Sequence, residues 1–214
     1  MTQNVKPTPR RYRSATRSAG AESTRTVIAT AAADLFRARG YRGTTMTAIA
    51  ESAGVAVQTV YAIFTSKRGI LLELVSRAKA SADVGPAFDQ LMAESDPRRQ
   101  LDLTVQLTQR WAEAGADLVD IVRAESGSDA DVAAAWHSAE ASRLRGNIAV
   151  IQQLAERGHL RDDRTVREAA DLLWTLESTD LYRLLVTERG WSPRRYRTEI
   201  RNLLINTLLR DDTT

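Results

Sequence analysis

Apolar residues recur along this chain at helical spacing. From Ser23 onward, Val27, Ile28, Ala31, Ala32, Leu35 and Phe36 form one stripe with a 3.6-residue period, and Gly40 ends it in the manner of a helix C-cap. Thr45 is placed to cap a short second helix over about 46–52, with Met46, Ile49 and Ala50 facing inward. Gly54 breaks that helix, and a third follows over about 56–63. Thr65 or Ser66 caps a fourth, long helix that carries Leu71, Leu72, Leu74 and Val75 toward residue 82. Gly85-Pro86 is the strongest break in the pattern and sets an expected boundary near 84. Beyond it the period predicts helices from Asp96-Pro97 to about 114, at 117–126 past Gly115, at 129–157 up to Gly158, at 165–189 behind Asp162 or Asp163, and from Ser192-Pro193 to about 209. There is no alternating strand pattern, internal repeat or sustained heptad. The expected fold class is all-α: a three-helix helix–turn–helix head with a linking helix over 22–83, then a helical bundle body over 84–214. Residues 1–21, rich in Pro, Ser, Thr, Arg and Gly, are expected to be a disordered basic arm.

Charge sharpens this division. The 214 residues carry +3 overall, but residues 1–79 hold 13 Lys and Arg against 4 Asp and Glu, a net of +9, and residues 80–214 hold 17 against 23, a net of −6. Without the first 25 residues the head, 26–79, still carries +4. A basic first third on an acidic remainder is the footprint of a nucleic-acid-binding head on a body with another task. The absence of cysteine excludes a disulfide framework, a thiol nucleophile and a cysteine-ligated metal, and fits a reducing compartment. No apolar run approaches the roughly 18 residues of a membrane span. The basic N-terminus has no apolar segment behind it, so no secretory signal is expected. A cytoplasmic protein that does not engage a membrane is the expectation.

The stretch 44–67, TTMTAIAESAGVAVQTVYAIFTSK, is where chemistry concentrates. A helix–turn–helix lays its second helix in the DNA major groove while the first crosses the backbone. Gly54 supplies a turn residue tolerant of unusual dihedrals, and Ile49, Ala50, Ala53, Val55 and Val60 let the two helices cross closely. Val57, Gln58, Thr59 and Tyr61 then lie on or at the start of the free face of the second helix. Gln58 suits an adenine edge, and Thr45, Thr47, Tyr61 and Lys67 suit phosphates. Lys67 also opens the fourth helix, whose free N–H groups favour a phosphate.

The run Ala31-(x)3-Leu35-Phe36-(x)3-Gly40-Tyr41-(x)2-Thr44-Thr45-(x)3-Ile49-Ala50-(x)2-Ala53-Gly54-Val55-(x)5-Tyr61-(x)2-Phe64-(x)2-Lys67 resembles the DNA-binding domain of the TetR (tetracycline-repressor-like) family of transcriptional regulators, over residues 25–75. Residues 174–209 are similar to the C-terminal end of one common subgroup, and about 80–170 carry no matching motif. The resemblance implies an obligate homodimer, an inverted-repeat operator on double-stranded DNA, a four-helix dimer bundle from about 165–209 of each subunit, and an effector pocket in the body. It also implies that Thr45, Thr47, Val57, Gln58, Thr59, Tyr61 and Lys67 occupy DNA-contacting positions. Two features depart from the family: Val57-Gln58 replaces a small polar residue followed by Gly or Pro, and Ile63 replaces an aromatic residue. Val57 is left with apolar contacts, such as a thymine methyl.

Nothing in the chain is arranged for catalysis. The two histidines, His137 and His159, lack partners at metal-binding spacing, and no phosphate loop, nucleophile elbow or metalloprotease helix occurs. No metal, cofactor or catalytic residue is expected. In the body, Trp111, Trp136 and Trp174 fall on or beside the apolar stripes of three helices, as core or as walls of an apolar cavity. With His137 and Glu177 they are the candidate effector contacts. Glu177 and Asp180 share one helix face, and pairing across the dimer with Arg194, Arg195 or Arg201 is expected for them. The function these features predict is a ligand-responsive repressor, the linking helix serving as a rod between head and body. An effector-less dimeric DNA-binding protein and an all-helical enzyme with an incidental basic head are the alternatives.

Overall fold

The computed structural model describes residues 12–211, and side chains from Glu22 on. By internal contacts the chain divides into two compact units between Leu74 and Val75, within a helix and ten residues before the boundary expected at 84.

The first unit holds α1 (Tyr12–Arg39), α2 (Met46–Ala53), α3 (Val57–Phe64) and the start of α4 (Lys67–Ser81). Its core holds most of the predicted stripe: Ile28, Ala32 and Phe36 from α1, Ile49 and Ala50 from α2, Val60 and Phe64 from α3, and Ile70 and Leu71 from α4 are all buried, while Val27, expected in the same stripe, is 45% exposed. Helix α1 begins at Tyr12 rather than near Ser23, so residues 12–21 of the expected disordered arm are helical, while 1–11 lie outside the described residues. The last proline of this region is Pro9, and adding residues to an existing helix costs far less than nucleating one. Arg25, counted above with the arm, is a structural residue of the head. Its guanidinium forms a two-pronged pair with Glu73 of α4 at 3.2 and 3.3 Å and lies 4.8 Å over the Phe64 ring, so it ties α1, α3 and α4 together.

The second unit contains the remainder of α4, then α5 (Val84–Ala93), α6 (Pro97–Ser126), α7 (Ala130–Glu156), α8 (Val166–Leu176), α9 (Thr179–Tyr182) with a π-helical continuation over Arg183–Glu188, and α10 (Pro193–Leu208). Gly85-Pro86 is no linker; it lies in the first turn of α5, where proline gives up only an N–H that has no helical partner. The segments expected on either side of Gly115 are one helix, α6, kinked where Gly115 leaves helical geometry (φ −159°, ψ 20°). The single helix expected over 165–189 is interrupted. Glu177 leaves helical backbone, and Ser178 caps the next turn by accepting from the Leu181 N–H. Thr165, not an upstream aspartate, opens α8, through a reciprocal capping box with Glu168. Helix α6 packs against α5, α7 and α10, and α7 against α8. Leu101, Val105, Ile151, Leu154, Leu173, Tyr196, Leu204 and Leu208 fill the core between them.

Helices α6 and α10 are also joined by charge. Asp102, 6% exposed, accepts from Arg197 at 2.8 and 2.6 Å and pairs with Arg99 one turn away. The Arg197 bond holds the Asp102 carboxyl below the usual carboxylate range. Asp102→Ala is expected to lower unfolding stability by about 2 kcal/mol in urea titration. That is less than a fully buried ion pair loses, because Arg197 is half-buried and rehydrates. An unchanged midpoint would show the bridge to be energetically neutral.

Candidate nucleic-acid interface

The turn between α2 and α3 is built as the sequence required. Gly54 takes left-handed backbone (φ 66°), its N–H and that of Val55 return to the carbonyls of Glu51 and Ala50, and the two helices meet at a bend of 109°. Helix α3 is only eight residues long, with Val60 and Phe64 as its buried anchors. Its remaining positions are free to present side chains: Gln58 is exposed, Tyr61 is 51% exposed, and Val57 and Thr59 are half-buried. Ala56, the residue before α3, offers no side-chain acceptor, so nothing on that side chain occupies the first N–H groups of the helix. On α2, Thr45 caps the helix by accepting from the Ala48 N–H at 3.1 Å, and both Thr45 and Thr47 are exposed. The candidate DNA contacts therefore lie at the start of α2, along α3 and at the start of α4. Tyr61, being exposed, is not part of the core.

Lys67 carries bonds within the head beside its expected place at a phosphate. Its ammonium donates to the carbonyls of Tyr41 at 2.7 Å and Thr44 at 2.8 Å, and lies 4.4 Å over the Tyr41 ring, which itself tilts against Phe36 at 5.1 Å. Lys67 thus fastens the loop that leads into Thr45 and Thr47. The buried Thr44 hydroxyl bonds back to the Gly40 and Leu35 carbonyls from the same loop. Sequence reasoning found the lysine and its position but missed this positioning role, because the acceptors are backbone atoms 23 and 26 residues away.

In the body, the structure brings two of the five candidate effector residues together. Glu177, 6% exposed, accepts from the Thr108 hydroxyl at 3.3 Å and lies 3.7 Å from the Arg143 guanidinium. Arg143 also donates to the Trp174 carbonyl at 2.7 Å and to Glu140 at 2.9 Å, and lies 4.3 Å over the Trp174 ring. Burial pushes the Glu177 carboxyl up to about 7, against opposing help from Asn147, Arg143 and Thr108. Within the chain Glu177 meets Arg143, and Asp180 meets Arg123. Arg195 lies 4.1 Å over Trp191, and Arg201 donates to Asn202. Helix α9 starts a new helical direction at Ser178, so the continuous helix face expected for Glu177 and Asp180 is interrupted.

The other three candidates stand apart from that cluster. Trp136 is half-buried under Arg123, 5.0 Å from its ring, and His137 is exposed. Trp111 is half-buried beside the α6 kink. One turn of α6 around it, Arg110, Glu113 and Ala114 line an open cleft of about 430 Å³ with Ser81, Ala82 and Asp83. Thr108, Arg143, Asn147 and Tyr196 were missed from sequence. Asn147 did leave a signal, standing in the otherwise apolar stripe with Val150, Ile151 and Leu154. Among the described residues no group of carboxylates and histidines is arranged to hold a metal ion, and no single helix is long and apolar enough to cross a membrane.

Comparison with known proteins agrees with this geometry. Residues 28–74 match the model of bacterial regulatory proteins of the tetR family. No curated protein matches the chain. Among solved structures, a protein described as a transcriptional regulator from Saccharomonospora viridis, in complex with choline, is 23% identical with a TM-score of 0.70 over 88% of this chain and 99% of its own. A protein described as a tetR-family regulator from Mesorhizobium loti is 22% identical with a TM-score of 0.65, over 89% and 98%. NalD, the secondary repressor of the MexAB-OprM multidrug efflux pump in Pseudomonas aeruginosa, is 24% identical with a TM-score of 0.67, also over 89% and 98%. These likenesses show a shared fold across head and body.

Proposed function

We propose, from a head whose residues 28–74 match the model of bacterial regulatory proteins of the tetR family, that this chain is a cytoplasmic, ligand-responsive transcriptional repressor that binds an inverted-repeat operator as a homodimer. The observation that carries the reading is α3. It buries two anchors and turns Gln58 and Tyr61 outward from a bend of 109° with α2, within the range of helix–turn–helix motifs whose second helix enters the major groove. Gln58 reads base edges, Val57 meets a thymine methyl, and Thr45, Thr47, Thr59 and Tyr61 fix the head on phosphates. Lys67 keeps the α1–α2 loop in place for them and adds positive charge.

A helix of eight residues reads only a few base pairs, so specificity needs two heads. The second subunit is expected on the last helices, where Leu184 and Leu203 remain 43% and 44% exposed although most of their apolar neighbours are covered. Leu203→Glu should convert a dimer to a monomer in light scattering and remove tight operator binding. Selection of bound sequences from random duplex DNA tests the whole reading. Inverted half-sites about 34–36 Å apart, or a multiple of that spacing, are expected, and a full-affinity asymmetric site would overturn it. In the same assay Gln58→Ala should relax base preference at one position of each half-site by about 1–3 kcal/mol, whereas Lys67→Ala should weaken all sites alike.

The effector is a small, largely apolar molecule held in the body; the Saccharomonospora viridis neighbour is in complex with choline. Choline itself is a poor fit to the tryptophans here. The faces of Trp136 and Trp174 already carry Arg123 and Arg143, so a quaternary ammonium would have to displace a guanidinium from either ring. Helix α4 runs unbroken from Lys67 to Ser81. A coupling of about 1–3 kcal/mol suffices for roughly 5–150-fold control, and operator must weaken the effector by the same factor.

A further inference from the structure

The body buries polar hydrogens that its own fold does not use. Asn147 Nδ2, Trp174 Nε1 and the Tyr196 hydroxyl are all inaccessible and find no hydrogen-bond partner among the described residues. Tyr196 is 0% exposed and Asn147 5%. Buried polar groups in folded proteins are paired in the great majority of cases, because an unpaired one forfeits its hydration for nothing. Three on neighbouring helices require a common explanation.

Each is linked to Glu177. Asn147 of α7 stands close enough to Glu177 to favour its charged form, without a well-formed bond from Nδ2. Tyr196 of α10 feels the Glu177 charge and meets the Tyr182 ring edge-on at 4.9 Å. Trp174 lies three residues before Glu177 on α8, under the guanidinium that also faces Glu177. Two of the three unpaired atoms, Nε1 and Nδ2, can only donate, and the third is a hydroxyl. What is missing is therefore an acceptor. Charge narrows it further. Glu140 and Glu177 oppose an anion, while Arg143, bonded between them and covering Trp174, opposes a cation.

We propose that Asn147, Trp174 and Tyr196, grouped about Glu177, form the polar end of a small-molecule site that takes the oxygen of an uncharged carbonyl or hydroxyl group on an apolar molecule. The proposal rests on the reading of the body as an effector domain and specifies what that effector must carry. An oxygen placed among the three donors satisfies them together. Glu177, whose carboxyl also accepts from Thr108, orients a neighbouring N–H or O–H of the same head group.

The test uses four probes with one ten-carbon chain, namely decanamide, 1-decanol, decyltrimethylammonium and decanoate, titrated into the full-length protein with tryptophan emission as readout. The amide and the alcohol should bind, with each charged probe at least tenfold weaker. Tyr196→Phe and Asn147→Leu should each weaken the amide roughly three- to tenfold. A second measurement needs no ligand. Removing a hydroxyl that nothing satisfies leaves an apolar ring of the same shape, so Tyr196→Phe should keep or raise the thermal midpoint of the free protein. Equal binding of all four probes, preference for a charged one, binding by none, or a clear loss of stability in Tyr196→Phe would each overturn the site. Operator affinity is measured on the same samples. Selective binding that leaves it unchanged would remove the switching function and keep the site, while intact operator binding with no selective probe would remove the site alone.

Discussion

Gly69→Ala is expected to weaken operator binding by roughly 100-fold or more, with the head losing stability and the body unchanged. Gly69 lies in the first turn of α4, and a Cβ there would stand 2.3 Å from the Phe64 carbonyl oxygen at the end of α3. The obstacle is backbone, so no side-chain rotation relieves it. The joint is already tight: Thr65 holds positive φ (61°), and Ser66 accepts from the Gly69 N–H at 3.1 Å. Room for a methyl group must come from moving α3 away from α4. That displaces Tyr61 and Gln58 directly and pulls on Lys67 and the carbonyls it holds. Overpacking of this kind costs about 1–3 kcal/mol, and in a dimer both heads incur it, which reaches two decades of affinity. Gly127→Ala is the matched control, since an added Cβ there meets nothing within 4 Å and φ is −75°. Titration of a selected operator, together with thermal melts, checks both. Operator affinity within threefold of the parent in Gly69→Ala would show that α3 tolerates the shift.

The second large effect is a pH dependence that runs opposite to ordinary acid denaturation. Burial raises the Glu177 carboxyl from 4.5 to about 7. Between those values the folded chain keeps a proton that the unfolded chain has lost, so stability falls as pH rises through the window. Above about 7 both states are ionised and the curve flattens. The full loss is on the order of 3 kcal/mol. Glu177→Gln removes the titration while keeping shape and an acceptor for Thr108. It should match the parent near pH 5 and exceed it at pH 8 by the same order, as read from urea midpoints at intervals across that range. Asp102 does not confuse the comparison, since its carboxyl is held below the usual range and titrates under the window. Parallel curves for parent and variant would mean that Arg143 already compensates the buried charge.

The head was legible in the sequence because what specifies it is local. The spacing of Ile28, Ala32 and Phe36, the cap at Thr45 and the turn at Gly54 each act within one or two helical turns, and each appears where the pattern placed it. The start of α1 was misplaced because polar composition alone does not separate a coil from the end of a helix packed elsewhere. The break at Glu177–Ser178 was missed for the converse reason. The apolar period continues through it, and only the capping bond from Leu181 to the Ser178 hydroxyl reveals that the chain has turned.

The candidate sites divide along the same line. For DNA, residue type and helical phase name the side chains that face outward, so Gln58 and Tyr61 could be read directly. For the body they could not. The partners of Glu177 come from Thr108, 69 residues away, and from Arg143 on another helix.

What the sequence by itself determined is the helical class, the bend that carries the recognition helix, the basic head and the outward residues upon it, because periodicity, capping and glycine conformation are properties of neighbours in the chain. Only the tertiary structure decided that Lys67 grips the Tyr41 and Thr44 carbonyls, that Arg25 clamps Glu73 across 48 residues and Arg197 clamps Asp102 across 95, and that Asn147, Trp174 and Tyr196 are buried with polar hydrogens unused. Electrostatic pairing and burial act through space over a few ångströms. Which residues come within that range is settled by how the helices pack, and no local pattern records it.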